Sequence, residues 1–173
     1  MMSLIENLPE CSIKVSSTPF EDIVRSIIGQ QLSIKAASTI QKRFIELVGF
    51  PIHPQTLVEL EDRHICEIGI SRSKCGYIKN VANTLIDNPS FFSAINELSD
   101  EEIIRELTKI KGIGIWTAQM FLMFSLCRLN VIPHGDIGIQ NSVQRYYGLI
   151  SKPSKEELEN IALAWSPYRT IAC

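Results

Sequence analysis

Apolar residues recur every three or four positions through most of this 173-residue chain, and this spacing constrains the fold more than any other feature of the sequence. Such a period is typical of amphipathic helices, because about 3.6 residues complete one helical turn. Strand signals occur only at 14–16 and 50–53, and both segments are too short to build a sheet. The sequence therefore predicts an all-α fold of six to ten short helices.

Capping residues, glycines and prolines mark the helix boundaries. A Ser or Thr followed three residues later by Glu is typical of a capping box, in which each side chain accepts a hydrogen bond from the other residue's backbone N–H. Three such boxes are predicted, at Thr18/Glu21, Ser99/Glu102 and Ser154/Glu157. The predicted helices run over 18–29, 33–48, 71–88, 99–107, 116–126 and 137–147, with two more that start at Ser154 and Pro167.

The same period predicts which side chains face the core. In the second and third helices these are Ala36, Ala37, Ile40, Phe44 and Leu47, and then Ile78, Val81, Ala82, Leu85 and Ile86. The segment 116–126 has no polar face, which predicts a central buried helix.

Length and composition exclude several classes of protein. The length favours one domain over 1–173, or two small lobes that share one core. Hydrophobic residues make up 45% and charged residues 21%, which is ordinary for a soluble globular protein and excludes disorder as the main state. No apolar run approaches the ~18 residues of a membrane span. The net charge of −2 argues against a histone-like coat of positive charge, but it permits a locally positive nucleic-acid site.

The N-terminal segment and the cysteines predict an intracellular protein, in the cytoplasm or nucleoid of a prokaryote or the nucleus of a eukaryote. MMSLIENLPE has the pattern of neither a signal peptide nor a transit peptide. The five cysteines are widely spaced and form no Cys-x-x-Cys pair, which is typical of reduced, buried thiols. They offer no framework for a zinc site or an iron–sulfur cluster.

The segment 107–118 predicts a tight turn between two helices. Gly112 and Gly114 permit a positive φ and allow another backbone to approach closely. The free N–H groups at the start of the second helix suit an anion such as phosphate, and Lys109 and Lys111 add positive charge beside them. The alternative is a glycine-containing helix corner that binds nothing.

The second informative segment is 131–138, Val-Ile-Pro-His-Gly-Asp-Ile-Gly. Pro133 and Gly135 predict a sharp loop, and Asp136 stands directly before the next helix. Taken alone, Asp136 is more typical of a helix N-cap than of a catalytic residue, although one carboxylate can perform both roles.

Together, the two segments closely resemble the signature of the helix–hairpin–helix DNA glycosylase superfamily, a hairpin followed by a Gly/Pro-rich loop and an aspartate. The resemblance implies two helical lobes with the active-site cleft between them, and Asp136 as the catalytic residue. It implies that the hairpin amides bind DNA phosphate and that the carbonyls of Thr108, Ile110 and Ile113 hold a sodium or potassium ion. No other cofactor is expected. The implied DNA-binding residues are Gln31, Lys109, Lys111, Gly112, Ile113, Gly114, Thr117 and His134.

Within that superfamily the chain is most similar to the 3-methyladenine DNA glycosylase II group. Members that also cut the DNA backbone carry a nucleophilic lysine where this chain has Trp116, so the resemblance implies a monofunctional enzyme. Iron–sulfur members have four clustered cysteines that this chain lacks. The resemblance covers 17–173, includes the segments 29–33 and 165–169, and implies no N-terminal β-domain.

The implied activity is excision of alkylated purines, such as 3-methyladenine and 7-methylguanine, from duplex DNA by a monomer acting in base excision repair. A flipped base would stack in a pocket that includes Trp116 and Met120, because aromatic faces attract a cationic purine. Alternatively, Trp116 is a core residue. Gln31 would fill the gap left by the flipped nucleotide; alternatively, Gln30 and Gln31 bond across the helix junction.

Two other interpretations of the whole chain remain open. One is a binding module that recognises damaged DNA without cutting the glycosidic bond, since members of the group usually continue past 165–169 with further pocket aromatics and this sequence ends at Cys173. The other is a helical interaction protein. Either phosphate contacts or solvated helix faces explain Arg72, Lys74, Lys79 and Lys152. His53 and His64 show no metal-ligand spacing.

Overall fold

The computed structural model describes residues 11–173, and all regular secondary structure in that range is helical. The predicted all-α fold is confirmed. No helix in this part of the chain is long and apolar enough to cross a membrane. The helices are α1 (Pro19–Gly29), α2 (Ile34–Val48), α3 (Pro54–Glu59), α4 (Asp62–Glu67), α5 (Arg72–Asp87), α6 (Phe91–Ile95), α7 (Asp100–Thr108), α8 (Ile115–Phe124), α9 (Ile137–Tyr147), α10 (Lys155–Leu163) and α11 (Arg169–Ala172).

Polar caps place the start of several helices where the sequence predicts them. Ser99 and Ser154 form complete capping boxes with Glu102 and Glu157. Asp136 caps α9, which spans the predicted 137–147. Each cap satisfies backbone N–H groups that the first helical turn leaves unpaired, so the signal is local and readable from the sequence.

The capping box predicted at Thr18 and Glu21 is wrong. Thr18 makes no side-chain capping bond. The buried Glu21 carboxylate instead accepts a hydrogen bond from the backbone N–H of Ile52 at 2.9 Å. This partner lies 31 positions away in the sequence, so only the packing of the fold brings it within reach of Glu21.

The prediction of six to ten helices is also wrong, since the described residues form eleven. Helices α3, α4 and α6 are only five or six residues long, too short for a helical period to stand out. The last helix begins at Arg169 and not at Pro167, whose peptide bond with Ser166 is cis.

Apolar residues form two cores. The larger core spans 20–131 and surrounds α8, whose Ala118, Leu122 and Met123 are almost fully buried. The smaller core joins α9, α10 and the segment around Trp165. Val131 belongs to the first core and Ile132 to the second, so the loop that leads to Asp136 starts at their junction. This arrangement gives two lobes of unequal size.

The predicted inward faces are correct except at two positions. Leu47 and Ile86 are exposed, while Ile45 and Val48 pack against the larger core in place of Leu47. Both exceptions lie in the last turn of their helix.

The cysteines are free thiols, as predicted, but only Cys75 is fully buried. Its Sγ lies 3.5 Å from that of Cys66. Burial, together with the hydrogen bond and charge interaction with Cys66, raises the pKa of the Cys75 thiol to about 12, so this thiol is protonated at neutral pH.

Candidate active site and nucleic-acid interface

A cavity of about 690 Å³ opens between the two lobes and collects the two segments that the sequence singled out. The turn 112–114 and the start of α8 form one wall, and residues 135–138 form the facing wall. Gln30, Gln31 and Tyr77 complete the lining. Residues that lie more than a hundred positions apart thus meet at one concavity, which is the usual place for a binding or catalytic site.

The hairpin has the predicted shape, with a difference at its second glycine. Helix α7 ends at Thr108 and α8 begins at Ile115. Gly112 has φ +110°, whereas Gly114 has φ −92° in extended backbone that any residue adopts. Of the two glycines that permit a positive φ, Gly112 alone adopts one. Ile110 and Ile113 are buried between the two helices, which fixes the turn.

Gly112 also makes the close approach that its lack of a side chain permits. A Cβ built on Gly112 would lie 2.2 Å from Cγ of Tyr77, far inside van der Waals contact. The Tyr77 ring therefore occupies the space where any other residue would place its side chain.

The N-terminus of α8 faces the cavity with unpaired amides. Gly114 is the N-cap and has no side chain to accept from the first-turn N–H groups. Gly114, Trp116 and Thr117 all line the cavity. The N–H groups and the positive end of the helix dipole can hold an anion there.

Asp136 points into the same space and is doubly held. Its Oδ1 accepts from the backbone N–H of Ile139 at 3.0 Å, which is the predicted N-cap bond. Its Oδ2 accepts from Trp116 Nε1–H at 2.8 Å across the cavity. One oxygen therefore stabilises α9 while the other belongs to the cavity wall, so the N-cap role is confirmed and leaves a catalytic role open.

Trp116 is not a core residue. Its side chain is 37% exposed and lines the main cavity together with a second cavity of about 520 Å³. Met120, one turn further along α8, lines only the second cavity. The indole therefore separates the two cavities, with Asp136 on the lining of the first and Met120 on the lining of the second.

Side chains from the smaller lobe fix the loop that precedes Asp136. His134 Nε2 lies 2.5 Å from Glu159 Oε2, and Arg169 Nη1 donates to Glu159 Oε1 at 2.7 Å. Gln140 donates to the His134 carbonyl at 2.7 Å. The hydrogen bond from His134, followed by those from Arg169, holds the pKa of the Glu159 carboxyl below its ordinary value.

Replacing Glu159 with Gln is expected to lower the Tm at pH 7 by about 2–4 °C, because a partly exposed charge with two partners contributes little. Since the pKa of Glu159 is lower in the folded state than in the unfolded state, its charge stabilises the fold above the unfolded pKa, ordinarily near 4.5. That contribution is lost as the pH falls through the folded pKa. Thermal unfolding from pH 7 to pH 3 should show the two proteins converging at the acid end; a constant difference would contradict this origin.

Gln30 and Gln31 have different environments, which answers the question that the sequence leaves open. Gln30 Nε2 lies 3.1 Å from both the Gly112 carbonyl and Thr117 Oγ1, so Gln30 joins α1 to the hairpin. Gln31 is exposed, has φ +57° and faces the cavity. Only Gln31 has a side chain placed to reach a ligand.

The remaining predicted DNA-binding residues are less free than the sequence indicates. Lys109 pairs with Glu106 at 2.7 Å on an exposed surface, and His134 pairs with Glu159. The buried Thr117 hydroxyl accepts from Gln30. Lys111 is exposed beside the turn. Their contact with DNA stays a prediction.

For Lys74 and Lys79 the sequence leaves open phosphate contact or a solvated face, and the structure pairs both side chains within the protein. Lys74 Nζ donates to the carbonyls of Ile28 and Gln30 at 2.9 and 2.7 Å. Lys79 Nζ pairs with Asp62 at 2.7 Å.

Within residues 11–173, no group of three or more His, Cys, Asp or Glu side chains could hold a metal ion. Of the carbonyls predicted to hold a monovalent cation, that of Thr108 lies on the last residue of α7, and those of Ile110 and Ile113 lie on the turn that follows. The Ile110 carbonyl also accepts from the Ile113 N–H at 3.0 Å, which leaves its second lone pair for an ion.

Sequence reasoning missed two residues that shape this site, Tyr77 and Asp22, and it missed the role of Lys74 within the fold. Tyr77 fills the space beside Gly112, Lys74 caps the end of α1, and Asp22 lines the second cavity together with Trp116. Each acts across the fold, so no local motif marks it.

The sequence of this chain is similar to those of known DNA repair proteins. Residues 24–167 match the sequence profile described as "HhH-GPD superfamily base excision DNA repair protein". The chain is 34% identical to "Alkylbase DNA glycosidase-like protein mag2" of Schizosaccharomyces pombe, over 98% of this chain and 83% of that protein. It is 33% identical to "Putative DNA-3-methyladenine glycosylase YfjP" of Bacillus subtilis, over 87% of this chain but only 55% of that protein.

Solved structures agree with the sequence relatives. A DNA-3-methyladenine glycosidase from Bacillus halodurans superposes with a TM-score of 0.84 at 39% identity, covering 99% of this chain and 80% of that one. The 3-methyladenine DNA glycosylase Mag1 of S. pombe, solved in complex with abasic DNA, gives a TM-score of 0.86 at 32% identity, covering 99% and 84%.

Proposed function

The chain belongs to the HhH-GPD superfamily of base excision DNA repair proteins, and from this premise we propose that it is a monofunctional DNA glycosylase that removes alkylated purines from duplex DNA. The relatives named as alkylbase or 3-methyladenine glycosylases support a DNA glycosylase of that kind. The observation that carries the proposal is the Asp136 carboxylate, held 2.8 Å from Trp116 Nε1 on the wall of the cavity between the hairpin and its loop.

The reaction needs an anion at that place. When the glycosidic bond breaks, its electron pair leaves with the base, and positive charge develops on the deoxyribose as in glycoside hydrolysis. The Asp136 carboxylate, already fixed by two hydrogen bonds, stabilises that charge without having to reorganise. A water oxygen then bonds to C1′ and its proton passes to Asp136, which leaves an abasic site.

The target nucleotide must leave the helix to reach Asp136. The amides of the hairpin and of the α8 N-terminus hold the backbone phosphate, while Gln31 occupies the vacated place in the base stack. The left-handed backbone at Gln31 supports this role, because a non-glycine residue keeps such a conformation only where its surroundings enforce it.

The base itself would lie in the second cavity, against the face of Trp116 and beside Met120. A purine carrying a positive charge from N3 or N7 alkylation is attracted to an aromatic face and is already a good leaving group. The half-buried Asp22 carboxylate lines the same cavity, whereas the cationic Lys14 and Arg25 on its lining are exposed and better screened. The negative charge of Asp22, which solvent screens less, therefore favours a cationic base in this cavity.

The hairpin carbonyls of Thr108, Ile110 and Ile113 suit a sodium or potassium ion, because neutral backbone oxygens hold a weakly charged cation without a carboxylate. Such an ion would stabilise the turn between α7 and α8 and add positive charge near the phosphate.

The proposal is tested by measuring release of 7-methylguanine from duplex DNA under single-turnover conditions, followed by alkaline cleavage of the abasic product. We expect base release and no trapping by borohydride, because tryptophan at position 116 cannot form a Schiff base. Undamaged duplex is the substrate control. A trapped adduct would refute the monofunctional mechanism, and damaged-DNA binding without release would instead favour the non-catalytic binding module.

A further inference from the structure

We propose that Lys74, Tyr77 and Asn80 of α5 are positioning residues that hold the turn 30–33 and the hairpin turn 111–114 at a set separation. The three residues recur every third position and are half-buried along one stripe of α5. Their action on the two turns follows from the contacts alone, while the consequence for DNA rests on the function proposed above.

Lys74 holds the first turn. Its Nζ donates to the carbonyls of Ile28 and Gln30, at 2.9 and 2.7 Å, where α1 ends and its last carbonyls lack helical partners. A cation at the negative end of the helix dipole is favourable there. Burial lowers the pKa of Lys74, but the two short hydrogen bonds compensate the ammonium group for lost water.

Tyr77 and Asn80 hold the second turn. The Tyr77 ring packs against Gly112, so close that no Cβ fits between them. Asn80 Nδ2 donates to the Lys111 carbonyl at 2.9 Å. One face of α5 therefore contacts Gly112 and the residue before it.

Gln30 links the two turns directly. Its backbone carbonyl accepts from Lys74, and its side-chain Nε2 donates to the Gly112 carbonyl at 3.1 Å. Gln31 follows with φ +57°, a conformation that costs free energy unless neighbours enforce it. The bonds at Gln30 supply that constraint. The Gln31 wedge and the phosphate site at 112–114 therefore keep a fixed separation before DNA binds. This lowers the free-energy cost of ordering the two segments on binding.

The first test needs no DNA. Lys74→Met keeps the length of the side chain but removes its charge and donors, and we expect amide hydrogen exchange to rise about tenfold in both 30–33 and 111–114. Lys74→Arg should restore part of the protection. Lys79→Met is the matched control: it removes the same charge from the same helix, but its partner is Asp62, away from both turns.

Unchanged exchange in either turn of Lys74→Met would overturn the proposal, because Lys74 holds 30–33 directly and 111–114 through Gln30. Should that variant fail to fold, Asn80→Ala removes one hydrogen bond at the half-buried edge of α5, and protection lost at 111–114 alone or at both turns supports positioning. Full protection at 111–114 in Asn80→Ala would overturn it.

The second test measures the consequence for DNA. With 2-aminopurine placed next to the lesion, we expect the fluorescence rise that reports base unstacking to fall several-fold in Lys74→Met and to stay at the parental value in Lys79→Met. If the parent itself produces no rise, the proposed function fails while the exchange data still decide the positioning. If the parent unstacks the base and Lys74→Met does so equally well, the positioning has no role in flipping and that part of the proposal is wrong.

Discussion

Asp136→Asn is expected to lower single-turnover release of 7-methylguanine by about a thousand-fold while leaving DNA binding within a few-fold of the parent. A fixed negative charge about 4 Å from the developing sugar cation is worth roughly 4 kcal/mol at an effective dielectric near 20, close to three decades in rate. Asparagine keeps the size of the side chain, removes its charge and replaces one acceptor oxygen with an NH2 donor.

The same substitution should cost little stability. Asparagine is as good an N-cap as aspartate, but its single oxygen cannot accept from both the Ile139 N–H and the Trp116 indole, as the carboxylate does. Losing one of these bonds is worth about 1 kcal/mol, or a fall in Tm of about 2–4 °C. A large loss of rate with a small loss of Tm therefore separates the catalytic role from the capping role.

Asp87→Asn is the matched control for charge. Asp87 is exposed at the far end of α5, 13 residues beyond Lys74, or about 20 Å along the helix. Its replacement should leave base release unchanged. If Asp136→Asn releases the base at the parental rate, Asp136 has no catalytic role and the proposed mechanism is wrong.

Gly112→Ala is expected to be the most destabilising single change at the interface, lowering the free energy of unfolding by about 3 kcal/mol or more and the Tm by about 6–12 °C. Two causes add. The new Cβ would lie 2.2 Å from the Tyr77 ring, and alanine strongly disfavours φ +110°. Because the turn must shift to relieve both, affinity for any DNA duplex should fall as well, without selectivity for damaged bases.

Gly114→Ala is the control for the second glycine of the same turn. No atom lies within 4 Å of a Cβ built there, and its φ of −92° suits alanine. Its Tm should stay near the parental value. Adding Tyr77→Ala to Gly112→Ala should recover the part of the loss that comes from the clash and leave the backbone strain. If Gly112→Ala and Gly114→Ala prove equally stable, the close packing of Tyr77 on the turn is wrong.

Much of the site follows from local physics that a sequence displays. The left-handed backbone at Gly112, the caps at Ser99 and Ser154 and the loop before Asp136 are requirements of the backbone over a few residues. For that reason the predicted α9 has the bounds found in the structure, and the relation to the HhH-GPD superfamily follows from two short segments.

Predictions from neighbouring residues failed where a side chain bonds a partner that is distant in the sequence. Glu21 bonds Ile52 and not Thr18, and Lys74 bonds α1 and not solvent or phosphate. Both partners lie 31 or more positions away, so only the packing of the helices brings them into reach.

The sequence by itself determined that the chain is helical, where its turn and its capped helix lie, and that Asp136 begins α9, because backbone hydrogen bonding and apolar periodicity act over a few residues. Only the tertiary structure decided that Asp136 faces Trp116, that Gln31 and not Gln30 is free, and that α5 supports both turns. These relations join residues between 20 and 87 positions apart, and their geometry is set by how the helices pack.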